Sequence, residues 1–321
     1  MTPAARLAAA IEILDLTLAG QPAEQALTNW GRANRFAGSG DRAAIRDHVY
    51  DALRCRGSFA ALGGALTGRG LMLGLARAQG LAVADLFTGA RFAPAELAPQ
   101  EAAHLAAPAP PEADLIRADW PDWLWPPLEA ALGLRAQAVA AAMRGRAPVI
   151  LRVNIARVPR ERAIADLAAE GITAVPHPLA ETALEVTAGA RGIARSAAYL
   201  GGLVELQDAA SQAAVALLPL APGDHVLDYC AGGGGKALAI AARAPGAVVS
   251  AHDIDAARMR DIGARAARAG AQIAALAPGA ALGAQDLVVV DAPCSGSGTW
   301  RRTPEAKWRL TPARLADLVA L

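Results

Sequence analysis

Val226-Leu227-Asp228-Tyr229-Cys230-Ala231-Gly232-Gly233-Gly234-Gly235-Lys236 is the stretch whose reading decides the fold. Val226 and Leu227 end a buried strand, and Asp228 closes it. Four successive glycines then make a turn with no side chain in the way. Lys236 opens an Ala/Leu/Ile-rich helix that runs through Arg243. A strand, a glycine turn and a helix N-terminus together make a nucleotide-type site, because the backbone can come close to a ligand there. The spelling is not the dinucleotide one, and a plain tight turn is the alternative.

The residues that follow repeat the pattern. Ala247 to Ala251 reads as a second apolar strand, ending at His252-Asp253-Ile254-Asp255. An acidic residue at such a tip, about 20 residues past the glycines, is where a ribose diol is held. Asp253 is the candidate, and Asp255 either serves there or caps a helix from Ala256. Leu287 to Val290 reads as a third, fully apolar strand, as expected of parallel strands buried on both faces. It ends in Asp291-Ala292-Pro293-Cys294-Ser295-Gly296-Ser297-Gly298-Thr299. The strand tips therefore carry Asp228, Asp253 and Asp291 along one edge, the edge at which open α/β sheets bind ligands. Asp291 and Cys294 pair a carboxylate with a thiol, which suits attack on an electron-poor carbon plus proton management. A free cysteine also serves as a small buried filler, but the polar, Gly-rich loop argues against that for Cys294. Cys230 reads as a lining or packing residue. No metal is expected, since no His or Cys lies at ligand spacing near Cys294.

Upstream, residues 1 to about 105 read as helices by their apolar periodicity. Leu7, Ile11, Leu14 and Leu18 share one helical face, an amphipathic helix and not a signal peptide. Asp41 is placed to cap a helix whose buried stripe is Ile45, Val49 and Leu53. Arg42, Arg46, Arg54 and Arg56 lie on or beside it, as a solvated face or a phosphate-contacting one. Trp120, Trp123 and Trp125 stand close together; they could stack on bases, but buried aromatic pins between domains are the favoured reading. From Pro148 the pattern becomes α/β: strands at Val149–Val153, Thr173–Val175 and Leu184–Val186, a helix between Pro159 and Gly171, and a helix from Ala209 that Asp208 can cap.

Composition bounds the rest. The chain has 321 residues, 54% hydrophobic and 19% charged, with a formal net charge of +1, so no basic field announces a nucleic-acid partner. No run is long enough to cross a membrane. Three cysteines suit a reducing, cytoplasmic compartment better than a disulfide framework. Lysine occurs only as Lys236 and Lys307 in an arginine-dominated chain, so the one in the glycine turn suggests a need for a compact ammonium.

The strings at 228–236, 252–255 and 291–299 together resemble the Sun/Nop family of RNA cytosine-C5 methyltransferases, of the RsmB type. Arg301 to Arg309, Leu151 to Asn154 and Gln207 to Ser211 resemble further landmarks of that family, and the likeness runs from about residue 120 to the end. The N-terminal helices resemble a NusB-type domain. The implied fold is α/β: a Rossmann-like methyltransferase sheet over 206–321, a small ferredoxin- or RRM-like unit over 145–205, and an all-helical NusB-like RNA-binding domain over 1–135. The implied methyl donor is S-adenosylmethionine. Cys230, Ala231, Gly232, Gly233, Gly234, Gly235 and Lys236 would line its amino-acid and sulfonium end, with Asp253 on the ribose and Asp291 near the reacting centre. The implied partner is RNA, ribosomal RNA in particular, bound by a monomer.

Cytosine C5 is a poor nucleophile. Thiolate addition at C6 makes an enamine whose C5 can take the methyl group, and a carboxyl at N3, the role implied for Asp291, stabilises the adduct. The family divides this work between two cysteines. The one matching Cys294 assists release, and the adduct-forming one lies on a later strand that this sequence does not contain. The chain is therefore expected to be a fragment, or else Cys294 is itself the nucleophile. Two departures stand out. The family usually has Ala-Pro where this chain has Gly232-Gly233, and no Asp between Ala271 and Ala284 matches an adenine-contacting one. A non-catalytic RNA-binding or assembly factor is the second reading, and a small-molecule methyltransferase the third.

Overall fold

Thr2 starts the first helix: its hydroxyl accepts the Ala5 N–H at 3.1 Å, and Pro3 sits where no amide donor is needed. The computed structural model describes residues 1–320 and divides into two units. The first joins Met1–Ala147 to the segment from Cys294 on; the second is Pro148–Pro293.

The first unit is helical. Leu7, Ile13 and Leu14 from Pro3–Leu18 share a core with Ile45, Val49 and Leu53 from Ser39–Arg54 and with Leu71, Met72 and Leu75 from Gly68–Ala78. Asp41 is not the cap of Ser39–Arg54. Gly38 is, and Asp41 sits in the first turn, accepting the Gly38 N–H at 3.2 Å, the Arg6 guanidinium at 2.8 Å and the terminal amine at 3.1 Å. The arginines beside that helix are engaged within the protein. Arg46 pairs with Glu24 at 2.6 Å, Arg42 donates to the Ala37 carbonyl at 2.9 Å, and buried Arg54 reaches Asp51 and the Arg301 carbonyl. Arg56 lies over the Trp308 ring. Arg42 and Arg46 remain exposed, whereas Arg54 is buried and Arg56 partly so.

Trp120 and Trp125 are buried with Ile116, Ala140, Trp300 and Leu310, and Trp120 meets Trp300 edge-on with centroids 5.9 Å apart. They fasten the segment after Cys294 to helices far earlier in the chain, all inside one unit. Lys307 is buried against them, over both the Trp120 and Trp308 rings, and donates to the Asp119 carbonyl. Burial pulls its ammonium down to about 8. The Asp119 carboxylate accepts from the Ser58 amide at 2.9 Å and hydroxyl at 2.8 Å, and pairs with Arg144 at 2.9 Å.

The second unit holds two sheets. β1 (Val149–Val153), β2 (Thr173–Pro176), β3 (Ala183–Ala188) and β4 (Val204–Leu206) form an antiparallel sheet in the order β2-β3-β1-β4, with the helix Arg160–Ala169 packed on it. β5 (His225–Asp228), β6 (Val248–His252), β7 (Ile273–Leu276) and β8 (Leu287–Val289) form a parallel sheet in the order β7-β6-β5-β8. Strands β4 and β7 are absent from the sequence reading. β8 also differs from expectation. It pairs with β5 alone among the described strands, and Val288 is 49% exposed and Val290 58% exposed. Among the described strands it is therefore an edge strand, and the exposure of Val288 shows separately that its faces are not both covered.

Trp300→Ala removes a fully packed aromatic from the first unit and is expected to destabilise it by about 3–5 kcal/mol in urea unfolding. A loss below about 1 kcal/mol would mean that the tryptophan cluster does not hold that segment.

Candidate active site

β5 and β6 are parallel, with Asp228 level with Ala251, and β8 lies on the other side of β5 with Val289 level with Asp228. The Asp253 and Asp291 positions follow two residues beyond those partners, so the three carboxylates rim the C-terminal edge of one sheet. The glycine bend leaves that edge and enters the helix Gly235–Arg243.

Each carboxylate has a distinct task. Asp228 is buried and accepts the Ala237 N–H at 3.0 Å, which places it at the positive end of the helix. Its other oxygen is buried with no partner. Burial pushes its carboxyl up to about 6; the Ala237 amide and Lys236 oppose this, and Asp291 and Asp253 add to it. Asp253 is 1% exposed. One of its oxygens accepts the Gly232 N–H at 3.0 Å and lies 3.1 Å from Arg258; the other accepts the Asp255 N–H at 3.0 Å. It ties the bend to the tip of β6. Asp255 takes the capping role, accepting the Ala257 N–H at 2.9 Å. Asp291 is exposed and is held by Lys236, whose ammonium lies 2.5 Å from it. Lys236 thus links the bend to the third tip.

The bend itself demands glycine. Gly234 has φ +79°, and a Cβ there would lie 2.5 Å from the Ile262 side chain. Ala231, beside it, donates to the His252 carbonyl at 2.9 Å. Cys230 is half-buried, and burial, then Asp253 and Asp228, push its thiol up, which keeps it protonated and suits a lining residue. Cys294 is exposed, on the loop that leads into the short turn Ser297–Thr299, and opens the second segment of the first unit.

Several residues at the bend were not found from sequence. His252 stacks on Tyr229 with centroids 4.8 Å apart and a ring nitrogen 3.1 Å from the Tyr229 carbonyl. Arg152, Arg258 and Arg265 reach the bend or its supporting carboxylate from elsewhere in the chain. In an arginine-rich chain nothing in their spacing marks them; Arg152 falls within the Leu151–Asn154 string that resembles a family landmark, with no role attached to it there.

A parallel sheet with a glycine bend at its first tip, beside an antiparallel ferredoxin-like sheet, defines the Rossmann-like methyltransferase class of fold. Residues 215–321 match the family model of the 16S rRNA methyltransferase RsmB/F, and residues 120–191 match that of the ferredoxin-like domain of RsmF/B-like methyltransferases. Over these two regions the chain is similar to the RsmB/F methyltransferases. Among curated relatives, the ribosomal RNA small subunit methyltransferase B of Xylella fastidiosa (strain Temecula1 / ATCC 700964) is 35% identical over 211 residues, 64% of this chain and 48% of that one. The protein of the same name from Escherichia coli (strain SMS-3-5 / SECEC) is 32% identical over 208 residues, 63% of this chain and 48% of the relative. The chain spans about half the length of the curated relatives it matches. Among solved structures, a methyltransferase homolog from Pyrococcus horikoshii is 26% identical with a TM-score of 0.51, covering 65% of this chain and 68% of that one. The protein PH0851 aligns over 100% of this chain and 81% of its own at a TM-score of 0.69; at 20% identity that likeness is one of fold.

An acid whose folded pKa lies above its unfolded value adds stability at low pH and loses it as pH rises through the folded value. Asp228, at about 6 against 3.8, therefore withdraws stability across that interval. Asp228→Asn keeps an acceptor for Ala237 and is expected to remove this contribution. Its urea midpoint should gain on that of the unaltered chain between about pH 4 and about pH 7. Parallel pH profiles would contradict the assignment.

Proposed function

We propose that this chain carries the donor site and part of the base-handling site of an S-adenosylmethionine-dependent RNA (cytosine-C5) methyltransferase acting on ribosomal RNA. The observation that carries the reading is the bend itself: glycine backbone and a helix N-terminus beside a buried Asp228 oxygen that has no partner. That donor set fits the amino-acid end of S-adenosylmethionine, whose carboxylate suits the amides and whose ammonium suits a buried acceptor. Bound there, the donor would supply an electrophilic methyl group. Cys230, Ala231, Gly232, Gly233, Gly234, Gly235 and Lys236 would line it. Asp253 already serves the backbone, so a ribose hydroxyl would reach it as an additional donor to its remaining lone pairs. The names of the curated relatives support ribosomal RNA as the substrate class.

Lys236 orients Asp291, and Asp291 would exchange a proton with cytosine N3 as a thiolate adds to C6. The C5 carbon would then take the methyl group as the donor's S–CH3 bond breaks, leaving the neutral thioether S-adenosylhomocysteine; the C5 proton leaves to a base, and the thiolate is expelled as N3 gives back its proton to restore the ring. Cys294, exposed on its loop, assists that release or forms the adduct itself. A target base has to be unstacked to be reached. The second reading, an RNA-binding factor without catalysis, draws its support from Asp253, which the protein's own backbone already occupies.

Incubating a protein that carries this chain with labelled S-adenosylmethionine and small-subunit ribosomal RNA should yield 5-methylcytidine by nucleoside mass spectrometry. Donor binding with no RNA methylation would favour the non-catalytic reading, and no donor binding would overturn the proposed site. In the active protein Cys294→Ala is expected to slow turnover by about a hundredfold, with covalent RNA adduct accumulating if the residue acts in release. Unchanged turnover and adduct level would remove Cys294 from the mechanism.

A further inference from the structure

A run of four glycines has few internal means of keeping one shape. The second unit supplies them from outside. Arg265, on the helix Ile262–Ala269, donates to the Gly233 carbonyl, and its Nε lies 3.4 Å from the Glu205 carboxylate on β4. Glu205 is 7% exposed and is shared with Arg268 at 2.6 Å. Arg152, on β1, is 4% exposed and donates from one nitrogen to the Gly235 carbonyl at 2.7 Å and to the Gln207 side chain at 2.6 Å. Two carbonyls of the bend are thus gripped by guanidinium groups, one fixed by Glu205 on β4 and the other by Gln207 just after it.

The fit at Gly233 is specific. A Cβ there would lie 2.8 Å from the Arg265 terminal nitrogen, so any side chain would displace the guanidinium. The glycine makes room for the arginine, and the arginine restrains the glycine. Charge-assisted donors to a carbonyl are stronger than neutral ones, and a guanidinium fork bridges a carbonyl and a carboxylate where an ammonium cannot do so in fixed geometry.

We infer that Arg265, held by Glu205, is a positioning residue that sets the shape of the Gly232–Gly235 bend, with Arg152 gripping its far end, so that the antiparallel sheet governs the ligand competence of the parallel one. The functional part of this inference rests on the bend being the donor site; the mechanical part does not.

Two measurements on the 321-residue chain separate them. Amide hydrogen exchange of the ligand-free chain is expected to rise at 231–236 in Arg265→Ala and in Glu205→Ala, with β1, β3 and the first unit unchanged. Calorimetric affinity for S-adenosylmethionine should fall by about tenfold in either variant, and no further in the double variant, because the two act as one device. Gly233→Ala should weaken binding in the unaltered background but cause no added loss in Arg265→Ala, where the space is vacant. Arg265→Lys, which keeps the charge but loses the fork, should not restore affinity. Unchanged exchange at the bend, or strictly additive losses in the cycles, would overturn the inference. Faster exchange in a chain that binds no S-adenosylmethionine would uphold the clamp and reject the donor site instead.

Discussion

Two buried carboxylates hold the backbone amides of a segment that has no side chains with which to hold itself. Asp228 takes the Ala237 N–H and Asp253 the Gly232 N–H, at opposite ends of the bend. Each stands at the tip of a parallel strand, so sheet register fixes the spacing between them. A buried carboxylate is stable only with donors around it, and amides at a helix N-terminus are the donors most readily supplied by backbone. The supply falls one short at Asp228, where an oxygen remains unmatched and the pKa rises. Such an unmet acceptor at a ligand-binding edge is what separates a receptive bend from a merely tight one.

Much of this was legible in the residues. Val226 and Leu227 running into Asp228 and four glycines specify strand, turn and helix by local chemistry alone, and the structure follows that reading. β1 has the bounds expected of it, because its apolar run is bracketed by Pro148 and a polar Asn154. β7 was not legible: Ile-Ala-Ala-Leu lies in an alanine-rich stretch with little strand propensity, and its pairing with β6 decides its state. β4 is three residues long and hides between a glycine turn and a helix cap. β8 was legible as a strand, but its apolar spelling suggested cover on both faces, which the exposed Val288 does not have.

Site residues divide in the same way. Asp228, Asp253, Asp291 and Lys236 were visible because strand tips and glycine turns mark their neighbours. Arg152 and Arg265 were hidden because they act on backbone carbonyls, which leave no trace in the sequence of either partner. At Gly232-Gly233, where the family usually has Ala-Pro, the absent side chain of Gly233 is the room that the Arg265 guanidinium occupies. Both lysines of the chain also have defined seats, one bridging the bend to Asp291 and one buried among tryptophans. Within the first unit, the arginines beside the Ser39–Arg54 helix are tied up by Glu24, Asp51, a backbone carbonyl and Trp308, so their density in the sequence reflects internal packing as well as surface.

The most direct test of the donor site is a crystal structure of the chain grown with S-adenosylmethionine. The expected result is density against Gly232–Lys236, with the amino-acid end at the start of the Gly235–Arg243 helix and a donor group within hydrogen-bond distance of the free Asp228 oxygen. A vacant bend at saturating ligand, or the molecule bound elsewhere with that oxygen still unmatched, would contradict it.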